Sequence, residues 1–240
     1  SAPVNALEGP LAFYHLYSTN PNLEFLQRPD GSQLEIHNIS FKPYSCCRKF
    51  HSMIDCLEIA TNKFSHDPDK IKKIDVYSPK NAIKKHAIQR PKSVMAAQYS
   101  MPYITAATLA YGPKNYNAFE SEYHQDPKII SLIDKTEAHH DPKLDEYLPE
   151  HMANRVVVTF GDGSQQAAEV IEALGSPECP LTFDGVFEKA ETLINMVDPN
   201  IDLPAIADAV RKLPNMGDID DLMRLLIARN YDSPKTLAVK

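Results

Sequence analysis

The chain has 240 residues, with 25 Lys+Arg against 32 Asp+Glu and a formal net charge of −7, so it lacks the clustered basic excess that neutralises nucleic-acid phosphates. A hydrophobic content of 43% supports a core of ordinary size and excludes disorder over most of the length. Nineteen prolines against eight glycines argue for stiff connections and against a Gly-rich phosphate cradle.

At roughly 100–200 residues per domain, the length allows one large domain or two small ones. No run approaches the ~18 apolar residues of a membrane span. The start, Ser-Ala-Pro-Val-Asn, has no basic stretch followed by an apolar one and does not read as a signal peptide. The cysteines are Cys46, Cys47, Cys56 and Cys179. Three are crowded and two adjacent, unlike a disulfide-stapled secreted domain. Reduced thiols and a cytoplasmic setting are expected, or the mitochondrial matrix if a targeting segment has been removed.

In chain order, residues 6–18 read as a helix whose apolar face includes Leu11, Phe13, Tyr14, Leu16 and Tyr17, interrupted early by Gly9-Pro10. A loop follows, with a turn at Pro29-Asp30-Gly31. Ile39 to Tyr44 is an extended entry, because Pro43 biases Lys42 away from helix. Cys47 to Thr61 is helical by its 3- and 4-residue apolar spacing. Ile71 to Tyr77 alternates as a half-buried strand ended by Ser78-Pro79. Residues 80–90 read as a basic, polar loop. Pro91 to Tyr111 is helical, with a kink or a Ser100-capped restart. Asp126-Pro127 opens a short helix, and Glu137 to Glu150 reads as polar loop. Two strands around Asp162-Gly163 form a β-hairpin. Thr182 caps a helix to about Met196, and Pro204–Leu213 and Gly217–Asn230 are two more, before a frayed tail. Helices at both ends and strands in the middle predict an α+β fold.

The densest chemistry lies where the extended entry meets the helix, in Phe41-Lys-Pro-Tyr-Ser-Cys-Cys-Arg-Lys-Phe-His51. A helix start presents unpaired backbone N–H groups to an anion. With Lys42, Arg48, Lys49 and His51 it makes a carboxylate-binding corner in an acidic chain; the competing reading is a surface Lys42 and solvated Arg48 and Lys49. Cys47 and His51 have the four-residue spacing of metal ligands, but no fourth ligand is in reach, so no metal is expected. His139-His140-Asp141 reads as exposed loop rather than ligand set. Gln98, Tyr99, Ser100 and Tyr103 place polar atoms on an apolar helix and are candidates to face a pocket or to bond a neighbouring backbone. The Lys70/Lys72/Lys73 and Lys84/Lys85/His86 groups lack interleaved aromatics, so no nucleic-acid partner is expected.

The stretch from Phe41 through the Ser52–Leu57 helix resembles the MmgE/PrpD family. So do Arg90-Pro91 through Ala96-Ala-Gln-Tyr-Ser-Met-Pro-Tyr103, the 155–170 hairpin, and Cys179-Pro-Leu-Thr182 with its helix containing Phe187-Glu188-Lys189, in the same order. Members include 2-methylcitrate dehydratases, cis-aconitate decarboxylases and iminodisuccinate epimerases. The resemblance implies a lyase or isomerase without metal or organic cofactor, moving a proton beside a carboxylate of a small di- or tricarboxylic acid. It implies a large helical domain plus a small α+β lid, usually in a homodimer. Residues 1–30 would belong to the helical domain, 31–180 to the lid, and 181–240 to helices returning to the helical domain. By resemblance Lys42 falls on the acid/base lysine and His51 on a histidine of the same motif. Tyr44, Cys46, Cys47 and Arg48 would serve the substrate site, with Gln98, Ser100 and Tyr103 on a matching helix. Methylcitrate dehydratases carry Phe-Pro-Ala-Glu-Phe-His where this chain has Tyr44-Ser-Cys-Cys-Arg-Lys, a form closer to the decarboxylases and epimerases. Family proteins are about twice this length by their two-domain architecture, so a second chain carrying the N-terminal helical half is the expected partner. The alternative is a non-catalytic, lid-like binding or regulatory subunit.

Overall fold

The computed structural model describes residues 5–10, 12–21, 31, 34–65 and 67–226. Leu11, the Pro29-Asp30 part of the predicted turn, His66 and the tail lie outside the described residues. The chain divides into two units, Ser1–Ile39 and Ser40–Lys240. In the first, the predicted helix contracts to α1, Phe13–Tyr17. Residues 5–10 form turns instead, because Pro10 lacks the N–H that would continue a helix through it.

The second unit is α+β. After a 3-10 turn at Arg48–Phe50, α2 runs His51–Ala60. Strand β1, Ile71–Ser78, leads into α3 (Lys80–His86), α4 (Val94–Gln98), α5 (Met101–Tyr111) and α6 (Pro127–Asp134). Strand β2 (Thr136–His140), α7 (Pro142–Asp145) and the hairpin β3 (Asn154–Phe160) and β4 (Gln165–Val170) follow. Last come α8 (Phe183–Asn195), α9 (Leu203–Lys212) and α10 (Asp220–Leu225). The sheet order is β2-β1-β3-β4, with β1 parallel to β2 and antiparallel to β3. The parallel pair requires a crossover, which α3 to α6 supply.

Two expected loops are corrected. Residues 80–86 form a helix, in which Ala82 is fully buried and Lys84, Lys85 and His86 end the last turn, where cations suit the helix dipole. Residues 136–140 form an edge strand. Their side chains carry little strand signal, but β1 supplies the backbone pairing, Ile74 against Thr136 through Ser78 against His140. The Ser100 alternative resolves as a restart: its hydroxyl accepts from Tyr103 N at 3.1 Å and caps α5.

One face of the sheet packs under α2, α5 and α6. Ile74, Val76, Val156 and Val158 are buried there with Met53, Leu57, Ile104 and Ile133. A bulge between Ile71 and Lys73 breaks the period of two and lets Ile71 join this core, against the alternation read from sequence. The other face carries Lys73, Asp75 and Tyr77. Tyr77 lies between His139, stacked at 4.9 Å, and Arg155, 3.7 Å above its ring. The described residues contain no helix long and apolar enough to cross a membrane.

Asn154, fully buried at the start of β3, locks α2 to the sheet. Its amide donates to Lys49 O at 2.9 Å and Ser52 Oγ at 2.7 Å, and its oxygen accepts from Ser78 Oγ. Removing a buried hub strands several partners at once. Asn154→Ala should cost about 2–4 kcal/mol, read as a lower urea midpoint with unchanged m-value; a loss below about 0.5 kcal/mol would contradict this role.

Candidate functional site

Residues 40–47 form a strap that crosses the mouth of a cavity of about 410 Å3. Several bonds hold the strap. Phe41 N donates to Gly175 O at 2.8 Å, and Tyr116 Oη donates to Pro43 O at 3.0 Å. Lys189 Nζ donates to Lys42 O at 2.7 Å, and Cys47 N donates to Gln98 O at 2.9 Å. Gly175 has φ +88°, and a Cβ there would lie 2.1 Å from Phe41 O, so that position requires glycine twice over, for its conformation and for the contact.

The turn beside the strap is gripped from α2. Asp55 accepts from Leu174 N at 2.8 Å and from Tyr44 Oη at 2.6 Å. Arg48 donates to Leu174 O at 2.8 Å and Ala173 O at 3.3 Å. Burial raises the Asp55 carboxyl above its usual range, against the lowering effect of its bonds to Tyr44 and Leu174 and of Arg48. Burial, with the Asp55 charge adding, holds Tyr44 as a phenol far above neutrality. Burial likewise keeps Cys46 a thiol.

His51 is fully buried. Arg48 Nη1 lies 3.1 Å from its Nδ1, so Nδ1 accepts and Nε2 carries the proton toward Cys46 O at 3.4 Å. Burial, then the Arg48 charge, lowers its pKa to about 3. It is therefore a neutral donor at neutral pH. Lys42 Nζ donates to the same Cys46 carbonyl at 3.3 Å, so His51 and Lys42 meet on one oxygen of the strap.

The cavity brings together Lys42, Tyr44, Cys46, Cys47 and Gln98 of the sequence candidates. Arg48, His51, Ser100 and Tyr103 are not among its lining residues. The first two brace the strap and its turn, as described. Ser100 Oγ donates to Ile88 O while capping α5, and Tyr103 Oη donates to Ala118 O at 2.8 Å. The helix start does not offer all the N–H groups expected of it, since that of Cys47 is spent on Gln98. Tyr99, expected beside Gln98 to face a pocket, lines it too; sequence reading missed Ser45, Met95, Tyr116, Leu193 and, most consequentially, Lys189. The signal for Lys189 was present in the quoted Phe187-Glu188-Lys189, to which no role was attached. Among the described residues no carboxylate lines this cavity, in a chain of net charge −7, while two lysines do.

Elsewhere, His139 belongs to a strand, and its donor atom lies within 4.8 Å of those of Asp75 and Glu137. The Lys73 ammonium reaches both carboxylates, at 2.9 and 3.0 Å, and so already supplies the positive charge that a metal ion would bring.

Two outcomes follow. Gly175→Ala combines a positive φ with a backbone collision and should cost at least about 2 kcal/mol, measured by chemical denaturation; a neutral effect would mean the strap is not pinned there. A histidine depressed in the native state binds its proton only after unfolding, so its contribution is complete above 6.5 and lost as pH falls toward about 3. Against the wild type, His51→Gln should flatten the fall in stability over that window, by on the order of a few kcal/mol at its lower end. Parallel curves for the two proteins would show that His51 titrates normally.

Residues 44–213 match the MmgE/PrpD C-terminal domain. The chain is also 28% identical over 209 residues to a cis-aconitate decarboxylase-like protein, oryM, from Aspergillus oryzae. That match covers 82% of this chain and 42% of the relative, so the chain spans less than half the length of the protein it resembles. The match takes in Tyr44 to Cys47 of the strap, the whole sheet and the remaining cavity walls, with Lys42 just before its start, and the chain belongs to the MmgE/PrpD family.

Proposed function

We propose that this chain carries the lid half of a lyase or isomerase that moves a proton next to a carboxylate of a small di- or tricarboxylic acid. The observation that carries the reading is a cavity lined by Lys42 of the strap and by Lys189 and, among the described residues, by no acid. Such a lining attracts an anion that the rest of an acidic protein repels. A C–H bond beside a carboxylate is weakly acidic, so the reaction needs a positioned proton carrier and a positive charge for the enolate-like state. In this reading Lys42 is the proton carrier, held by the Cys46 carbonyl. Tyr44 in the wall and His51 behind the strap, both uncharged at neutral pH, do not compete for the proton. Kinship with dehydratase- and decarboxylase-type proteins supports the class of chemistry. Whether water, carbon dioxide or only a proton leaves is the finer question.

The cavity lining includes exposed Met95 and Tyr99, and Phe41 beside Lys42 is exposed too. The α8 helix has no fully buried residue, although it is amphipathic and exposes Phe183, Val186, Leu193 and Met196. Exposed apolar side chains and a helix of this kind call for a covering body. We assign that role to an N-terminal helical half, supplied by a second chain or by the rest of a longer one. Homodimerisation of the complete assembly is part of the same reading.

The test uses the assembly that contains both halves, incubated with di- and tricarboxylates in deuterated water. Exchange at the carbon next to a carboxylate, with loss of at least about a hundredfold in Lys42→Ala, is the expected result. An unchanged rate in Lys42→Ala would remove Lys42 from the mechanism. Binding without any exchange would favour a non-catalytic binding subunit.

A further inference from the structure

Lys189 enters the cavity from α8, 147 positions along the chain from the strap residue that it touches. Its ammonium lies 2.7 Å from the carbonyl oxygen of Lys42, and the Lys42 ammonium bonds Cys46 O at 3.3 Å. An ammonium has three N–H donors, so each lysine has capacity beyond the bond described. The neighbouring polar groups are committed elsewhere: Tyr44 to Asp55, Tyr116 to Pro43, Gln98 to Ser45. Two acids of α8 are also engaged. Glu188 pairs with Lys114, and Asp184 faces Arg211 at 3.8 Å. Two ammonium groups in one cavity with no acid on its walls repel each other. An anion between them reverses the sign of that interaction.

We propose that Lys189 is a ligand-binding residue, forming with Lys42 a two-ammonium clamp that seats two carboxylates of one molecule. This rests on the polycarboxylate reading above and extends it in two ways. It makes α8 a wall of the site rather than a helix that only docks on another domain. It also makes the clamp the source of selectivity, since a monocarboxylate engages one ammonium and gains nothing from the second. Lys42 stands at the reacting end and Lys189 at the distal carboxylate.

The test reads Cys47, which is half-exposed in the same cavity. Iodoacetamide, a neutral reagent, alkylates the full chain, and the modified peptide is followed by mass spectrometry. Propane-1,2,3-tricarboxylate, succinate and acetate compete at constant ionic strength, and the concentration giving half-protection is recorded. In the wild type both polycarboxylates should protect at lower concentration than acetate. In Lys189→Met their half-protection concentrations should rise about tenfold, the worth of one charge-assisted bond, with acetate unchanged. Lys189→Arg should retain most of the preference, and Lys42→Met should weaken all three ligands. The assignment is overturned if Lys189→Met keeps the polycarboxylate preference, or weakens acetate equally. A preference lost in Lys189→Arg as in Lys189→Met would also overturn it. If no carboxylate protects the wild type, the anion reading of the cavity falls as well. If only Lys42→Met weakens protection, Lys189 alone is excluded.

Discussion

The grip of α2 and the turn that leads into it on one residue is the constraint from which the site is built. Leu174 gives its N–H to Asp55 and its carbonyl to Arg48, immediately in front of Gly175. Gly175 in turn accepts from the amide of Phe41, immediately before Lys42. The strap is therefore referenced to the core helix through a turn more than a hundred residues away in sequence. Such an arrangement holds a side chain more tightly than a free loop could, and tight placement is what proton transfer to carbon demands. Asn154 anchors the start of the same helix to the sheet, so strap, helix and sheet form one positioned unit.

Electrostatically, the site works by subtraction. Burial keeps Tyr44 and Cys46 in their protonated neutral forms and His51 in its unprotonated one. Arg48 is drawn away onto carbonyl oxygens of the 173–174 turn. What remains facing the cavity, among the described residues, is a pair of lysines with no acid beside them. The open face of the sheet is the counter-example within the same unit. There Lys73 lies against Asp75 and Glu137, and Arg155 against Asp141 at 3.0 Å. Cations on that face are paired with carboxylates and offer little to a ligand, whereas the two lysines of the cavity bond neutral carbonyl oxygens.

Much of this was legible in the residues. The alternation of 71–77, the Asp162-Gly163 turn, the Ser100 and Thr182 caps and the apolar spacing of α2 and α5 are local signals with local causes. They appeared where expected. The concentration of chemistry between Phe41 and His51 was likewise visible, because Lys42, Tyr44, Cys46 and Cys47 are near neighbours in sequence and stay so in space. Strand β2 and helix α3 were missed for a common reason. Their side chains are polar and basic, and what makes them regular is pairing with β1 or a single buried Ala82, neither of which leaves a periodic trace.

The amino-acid sequence by itself determined the α+β class, the strap-to-helix motif and the family. Each is written in short-range pattern or in ordered motifs. Tertiary structure decided which candidates share a cavity. Ser100 and Tyr103 looked free in one dimension but satisfy backbone carbonyls in three, because a buried hydroxyl must find an acceptor. Arg48 and His51 became braces for the same reason. Lys189 became a wall of the site only because α8 folds back over the strap, and no spacing rule connects residues 147 apart.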